Sequence, residues 1–321
     1  MAQTEPSNGA VANLIGGFGA MVASAVCLLT VVGFLGGIWW GFDLASHFRV
    51  QYAVVLALVL VFLAGVRWRR TAGVAAGALL VNLALIVPLY VAGPAQAEST
   101  GTVAIVSFNV TASNPERAAV LEYLGTSDAD IIFMHESSTD WEDALSRSGL
   151  PYRMVSAREP GSLFGTLALI RGDAVANVLP LGDFGQWSIE VVTDVGGTPV
   201  SVLGTHPLSP VSPTRSAARD EQLRIVGDWA ARQTNPVVVV GDFNASTWSR
   251  GFGLVTRDAG LVNSQRGFGV QPSWPAEYPL FGIPIDHMVH STELTTVDRR
   301  LGENLGSDHF SLFVTVGLAV P

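Results

Sequence analysis

Apolar and polar positions divide this chain into two regions near residue 94. Before it come three apolar stretches of membrane-spanning length: Leu14 to about Trp40, Tyr52–Val66, and Ala72 to about Gly93. The middle one has only about 15 uncharged residues and spans only if Val50 and Gln51 are counted. A buried core helix would share its pattern. Its place between two longer runs instead predicts a third transmembrane helix. Beyond residue 94 short segments alternate with turn residues. Thr102–Phe108 is rich in Val and Ile and predicts a strand ending at Asn109. Ser113-Asn114-Pro115-Glu116 carries a helix start, with the helix running to about Leu124 and Gly125 as its stop. Ile131–Met134, Thr166–Ile170, Glu190–Val195 and Val200–Leu203 read as strands. Ser216 to about Arg232 reads as a helix with Leu223, Val226, Trp229 and Ala230 on one face. The run Val237–Val240 predicts a strand buried on both faces and stopping at Gly241. Ile285–Val289 and Leu312–Val316 predict late strands.

This order gives a tail (1–13), a membrane domain with three transmembrane helices (14–93), a linker (94–101) and a globular domain (102–321). Strands and helices are intermixed in the last, which predicts an α/β sandwich of packed sheets. The loop Arg67-Trp68-Arg69-Arg70 is arginine-rich, whereas Gly41–Arg49 carries one arginine and Asp43. Cytoplasmic loops carry the excess of basic residues. The N-terminus is therefore expected inside and the globular domain outside the cytoplasmic membrane. Ala95-Gln96-Ala97 has the small-x-small form of a signal peptidase site, but the apolar run before it is longer than a signal-peptide core. A linker is expected there.

The hydrophobic fraction of 49% and mean hydropathy of +0.38 exceed those of ordinary soluble domains. Nearly all of the excess lies before residue 94. Cys27, the one cysteine, falls in the first apolar stretch, so the globular domain has no disulfide, cysteine nucleophile or Cys-based zinc site. Lysine is absent. From Glu98 onward, 14 arginines face 25 acidic residues, a net charge of −11. A duplex-binding surface is normally basic, so this balance counts against nucleic acid as partner.

The chemistry gathers at predicted strand exits. Asn109, Glu136, His206, Asp242, Asn244, Asp286, Asp308 and His309 occupy them, in the contexts Ser107-Phe108-Asn109, His135-Glu136-Ser137, Gly204-Thr205-His206-Pro207, Gly241-Asp242-Phe243-Asn244, Ile285-Asp286-His287 and Gly306-Ser307-Asp308-His309. Open α/β folds place ligands at strand ends. An Asp or Asn after a strand also caps turns, so no single motif is specific. Six in order are. From about Thr102 to Val316 the chain resembles the endonuclease/exonuclease/phosphatase superfamily, which includes pancreatic-type deoxyribonucleases, apurinic endonucleases, inositol polyphosphate phosphatases and neutral sphingomyelinases. It looks closest to bacterial members with membrane spans ahead of the domain, by His206-Pro207, Ser273-Trp274-Pro275 and Pro284-Ile285-Asp286-His287.

The resemblance implies a four-layer α/β sandwich, two mixed sheets flanked by helices, and hydrolysis of a phosphate ester. That reaction needs a positioned water, neutralised phosphoryl oxygens and a proton for the leaving oxygen. By resemblance Glu136 is the main ligand of Mg²⁺, with Mn²⁺ or Ca²⁺ as alternatives, helped by Asn109 and Asp308. Asp242 orients and activates the water, and Asn244 contacts the phosphate. His309, oriented by Asp286, binds the phosphate or acts as acid or base, while His206 stabilises the phosphoryl group or protonates the leaving oxygen. His287 and His290 are expected to serve packing. His135 stands where glutamine is common in the family, and either contacts the site or fills space. Glu159 and Asp183 are expected in solvated loops. Arg171, Arg215 and Arg219 are candidate anion contacts or surface residues, and Trp248, Trp274 and Phe281 candidate pocket walls or packing.

The expected function is that of a membrane-tethered phosphoesterase acting on a lipid head group, a lipid-linked phosphate or a small phosphoester. An extracytoplasmic nuclease and a catalytically silent membrane sensor are the alternatives.

Overall fold

The computed structural model describes residues 8–65, 68–91 and 99–320. The linker motif at 95–97 lies outside them. The chain divides into two units, Met1–Pro88 and Leu89–Pro321.

In the first unit the helices are α1 (Asn8–Val32), α2 (Trp40–Ala45), α3 (Arg49–Gly65) and α4 (Arg69–Ile86). A short helix α5 (Pro88–Val91) follows, its first residue ending the first unit and the rest opening the second. Among the described residues two helical stretches are long and apolar enough to cross a membrane, Trp40–Gly65 and Arg69–Val91. Three were expected, and the boundaries are corrected. The first apolar run does not reach Trp40, because its helix ends at Val32, before Gly33, Gly36 and Gly37, and its described apolar part is Gly16–Val32. The middle segment is longer than its uncharged core, since helix begins at Trp40 and takes in Asp43, His47 and Arg49, all three buried. Buried Arg49 donates through Nη1 to the Thr30 carbonyl at 2.7 Å and lies over the Phe34 ring.

The second unit has twelve described strands: β1 (Thr102–Asn109), β2 (Ile131–Ser137), β3 (Arg153–Ala157), β4 (Gly165–Ile170), β5 (Val175–Pro180), β6 (Trp187–Val195), β7 (Thr198–Thr205), β8 (Val237–Asp242), β9 (Val262–Asn263), β10 (Asp286–His290), β11 (Leu294–Leu301) and β12 (Leu312–Leu318). They form two six-stranded mixed sheets, ordered β11-β12-β1-β2-β4-β3 and β5-β6-β7-β8-β10-β9. Period-two alternation explains how they pack. Val103 and Ile105 of β1 face the space between the sheets, as do Val238 and Val240 of β8, where they meet Phe133, Val191, Val202 and Val314. Val106 and Phe108 point the other way, toward α6 (Arg117–Thr126) and α7 (Thr139–Ser148). Val237 and Val239 face α8 (Pro213–Arg232) and α9 (Arg250–Thr256). The four-valine run is apolar throughout because both of its faces are covered. Gly204 lets the layers meet, since a Cβ there would lie 2.0 Å from the Phe133 ring.

Several boundaries move. The helix expected from Ser113 begins at Arg117, after Asn114 Oδ1 accepts the Glu116 N–H at 2.8 Å, and it passes through Gly125 to Thr126. β8 does not stop at Gly241. It continues through Asp242, which pairs with Asp286 of β10.

Candidate active site

Parallel pairing of β1 with β2, and of β7 with β8, puts the C-terminal ends of each pair on one side of its sheet. Asn109, Glu136, His206 and Asp242 end or follow these strands, and antiparallel β10 brings Asp286 beside Asp242. Two backbone features aim the side chains. Pairing of β2 with β4 shifts register between Met134 and Ser137, and Glu136 takes φ 55°. A bulge re-aims the residue it carries, here turning the Glu136 carboxylate toward the site. Asn244 follows β8 at φ 50°, a left-handed conformation costly for a non-glycine residue. Its backbone N–H donates to Asp242 Oδ1 at 2.8 Å, and its carbonyl accepts from Arg219 Nη1 at 2.9 Å. Gly241, just before Asp242, has φ 153° and a position where a Cβ would meet the Thr205 carbonyl oxygen at 1.8 Å. No other residue fits there.

Asp242 is the hub. Its Oδ2 accepts from Asn109 Nδ2 at 3.2 Å and Asn244 Nδ2 at 3.4 Å, and lies 3.5 Å from His206 Nε2 and 3.7 Å from His309 Nε2. The carboxylate is buried, which alone would raise its pKa. The charges of His309 and His206, with the Asn244 N–H, outweigh burial and hold it well below the usual carboxylate range. His309 donates through Nδ1 to Asp286 Oδ2 at 2.8 Å. Burial would depress this imidazole, but Asp286 and Asp242 push it up to about 10. For His206, burial is likewise outweighed by Asp242 and Glu136, and its pKa rises. Burial and the nearby Asp242 charge push the Asp286 carboxyl up against the pull of His309, so Asp286 and His309 share one proton between them, and beyond that pair in the buried line Asp242 is negative and His206 positive.

Of the oxygen ligands expected for a metal, Glu136 lies beside His206 at one end of this line and Asp308 beside His309. Glu136 Oε1 accepts from Asn109 Nδ2 at 3.1 Å and stands 3.8 Å from His206 Nε2, with its carboxylate partly open to solvent. Asp308 is fixed by Thr111 Oγ1 on Oδ1 at 2.5 Å and by Trp274 Nε1 on Oδ2 at 3.0 Å. Thr111 also donates its N–H to Asn109 Oδ1 at 3.2 Å, linking Asn109 to Asp308. Asp242, Asp286 and His309 also form a buried group with one donor atom each within 4.8 Å. There the imidazolium already stands between the carboxylates, so a cation would have to displace a proton. Glu136 and Asp308 offer hard oxygen donors with solvent access, the set a hydrated divalent ion prefers.

His287 is buried between Phe243 and Phe252, with Nε2 2.8 Å from the Ala245 carbonyl, and burial lowers its pKa to about 3. His290 bridges Ser291 and Thr296. Both serve packing. His135 is buried behind the site between Ser107 Oγ and Thr166 Oγ1, 5.6 Å from the His206 ring, with its pKa lowered to about 3 by burial. Arg171 pairs with Asp128 and Arg215 contacts Ser209, both on the surface. Arg219 is not a surface residue but is fully buried and braces the turn after β8. Thr111 and Trp274 were missed as supports of Asp308. A φ of 55° at Thr111 has no sequence signal.

Solved structures share this fold. The endonuclease/exonuclease/phosphatase from Beutenbergia cavernae is 20% identical, with 68% of this chain and 72% of that one covered at a TM-score of 0.56. The human Nocturnin catalytic domain with bound sulfate is 17% identical, covering 70% and 98% at 0.56. D. rerio TDP2 complexed with a single-strand DNA product is 15% identical, covering 67% and 99% at 0.57. No curated protein matches the chain. A family model matches residues 106–309, more than half of the sequence and every strand-end motif above. On that match the chain belongs to the Endonuclease/Exonuclease/phosphatase family and is a hydrolase of phosphate ester bonds.

Proposed function

We propose that this protein is a membrane-tethered, divalent-metal-dependent phosphoesterase that cleaves a phosphate ester outside the cytoplasmic membrane. The observation that carries the reading is the buried line of Asp286, His309, Asp242 and His206 next to the half-open Glu136 carboxylate. Glu136, with Asn109 and Asp308, would hold Mg²⁺, whose charge neutralises phosphoryl oxygens when bound. Asp242, kept ionised, orients the attacking water and accepts its proton. His309, kept charged by Asp286, holds the phosphoryl group electrostatically. Asn244 donates to a phosphoryl oxygen by exchanging its long 3.4 Å bond to Asp242, and His206, charged beside Asp242 and Glu136, gives a proton to the leaving oxygen.

The two spanning-length helices support tethering, and the arginines at 67–70 support an outside location for the catalytic unit. The acidic balance of that unit favours a lipid head group, a lipid-linked phosphate or a small phosphoester over duplex DNA. Likeness to a TDP2 complex with single-strand DNA keeps an extracytoplasmic nuclease as the second reading. The complete charge line counts against a silent sensor.

The test is a panel of phospholipids, small phosphoesters and plasmid or single-stranded DNA, assayed with Mg²⁺, Mn²⁺ and Ca²⁺ on wild type and Glu136→Ala. Metal-dependent turnover of a non-nucleic substrate, lost in the variant, is expected. Cleavage of DNA alone selects the nuclease, and no turnover with any metal contradicts the proposal.

A further inference from the structure

Large apolar side chains left in water are usually scattered singly. Here they gather. Of the nine exposed between Thr102 and Val320 among the described residues, seven lie on loops at the end of the sheets that carries the site. Strand register fixes that end. Gly165 of β4 pairs with Ser137 beside Glu136, so the β3–β4 loop with Leu163 and Phe164 opens there. Trp187 of β6 pairs with Pro180 of β5, and Ile189 with Gly204, so Phe184 lies there too. Val211 follows His206. Val175 and Val320, the other two, lie at the opposite end, where β5 begins and β12 has ended.

The remaining three form a finger. Trp274 and Ile283 exchange backbone hydrogen bonds of 3.2 and 2.6 Å, closing a loop whose tip is Tyr278-Pro279-Leu280-Phe281. Leu280 is 88% exposed and Phe281 67%. The base of the finger is bonded to the catalytic residues. Trp274 Nε1 donates to Asp308 Oδ2, the Ala276 N–H to the Asp308 carbonyl at 2.8 Å, and the Asp286 N–H to Ser273 Oγ at 3.1 Å. A bare apolar tip thus stands on the same framework that orients Asp308 and Asp286.

We propose that this apolar collar, led by the Tyr278–Phe281 finger, seats the mouth of the active site on a lipid surface, so that the ester cleaved is presented at head-group level in a bilayer. The inference rests on the phosphoesterase reading above and names its substrate class. Three observations favour lipid as the occupant. The chain carries its own spanning-length helices. Thr102 opens β1 at the end away from the site. The ten residues between Val91 and Thr102 reach at most about 35 Å, more than the roughly 26 Å length of β1, so the tether is long enough for the site end to face the bilayer. Between Trp274 and Ile283 the single charged residue is Glu277, so attachment comes from apolar burial rather than attraction to anionic head groups. Tyr at the tip suits the interface, where its ring is buried and its hydroxyl stays wet.

The experiment uses the full chain with Cys27→Ser and a single new cysteine, Leu280→Cys, Leu163→Cys or Val175→Cys, labelled with an environment-sensitive fluorophore. Each is reconstituted into vesicles of phosphatidylcholine with brominated acyl chains. The dyes at 280 and 163 are expected to be quenched at least about twofold more than the dye at 175, with quenching unchanged in high salt. Equal quenching at all three positions overturns the collar. Quenching that rises with protein density at fixed lipid points to a second copy as occupant, which also overturns it. Flotation of the same vesicles separates the failures. Protein that floats with unquenched dyes refutes the collar alone, whereas protein that does not float refutes the tether as well. Quenching at 280 in a protein that cleaves no phosphoester supports the lipid seat and overturns the catalytic reading.

Discussion

His309 donates through Nδ1 to Oδ2 of Asp286 at 2.8 Å, which leaves its Nε2 facing the site. A carboxylate so placed fixes both the ring orientation and its charge. Asp286→Asn keeps the shape but removes the charge that holds His309 protonated. We expect kcat to fall by about 10²–10⁴-fold, the range for loss of a positioned acid or base, with KM changing far less. Steady-state kinetics on the best substrate of the panel checks this, with circular dichroism confirming an intact fold.

Asn244 separates backbone strain from chemistry. Its φ of 50° favours glycine, while its Nδ2 bonds the Pro207 carbonyl and Asp242. Asn244→Gly is expected to keep the melting temperature near wild type and still lose activity. Asn244→Ala loses activity and, in addition, about 1–3 kcal/mol of stability. Thermal melts of the two variants side by side decide it.

Asp308 depends on Thr111 and Trp274 for its orientation. Removing a group that orients a metal ligand typically costs 10–100-fold in metal affinity. Thr111→Val and Trp274→Phe should each raise the Mg²⁺ concentration for half-maximal activity by roughly that factor. At saturating metal the lost rate should be largely recovered.

Two histidines set opposite pH limits on stability. Burial holds His287 at about 3, below its unfolded value, so its contribution is complete above about pH 6.5 and fades as pH falls toward 3. His309 is held at about 10, above its unfolded value, so its contribution is complete below about pH 6.5 and is lost as pH rises through 10. Each titrating proton changes stability by up to about 1.4 kcal/mol per pH unit. Melting temperature against pH should flatten on the acid side in His287→Leu and on the alkaline side in His309→Asn.

Much of this was legible because interior strands and strand-end motifs carry strong signals. Val237–Val240 needs both faces covered, and Gly241-Asp242-Phe243-Asn244 follows it directly. The outer strands β3, β5 and β11 escaped notice. β3 and β5 are half-exposed edge strands, short and interrupted by Arg153 and Ser156 in one and by Asn177 and Pro180 in the other, and β11 carries Asp298, Arg299 and Arg300 with a register shift. Apolar runs marked the helices of the first unit, but helix ends there follow glycines and charged residues that pack inside, so one predicted helix shortened at its C-terminal end and another lengthened. The direction of Glu136 depends on a bulge, and the buried place of Arg219 on a turn 25 residues away. Neither leaves a local pattern.

Asp242 and His309 face each other across 3.7 Å at the centre of the proposed metal-dependent hydrolysis. The most direct measurement is the rate of that hydrolysis by the full-length protein with saturating Mg²⁺, comparing wild type with Asp242→Asn and His309→Ala. A loss of at least about 10²-fold is expected in each variant, with a double variant little worse than the worse single one, because the two residues act as a unit. Hydrolysis that survives both substitutions near the wild-type rate would contradict the proposal.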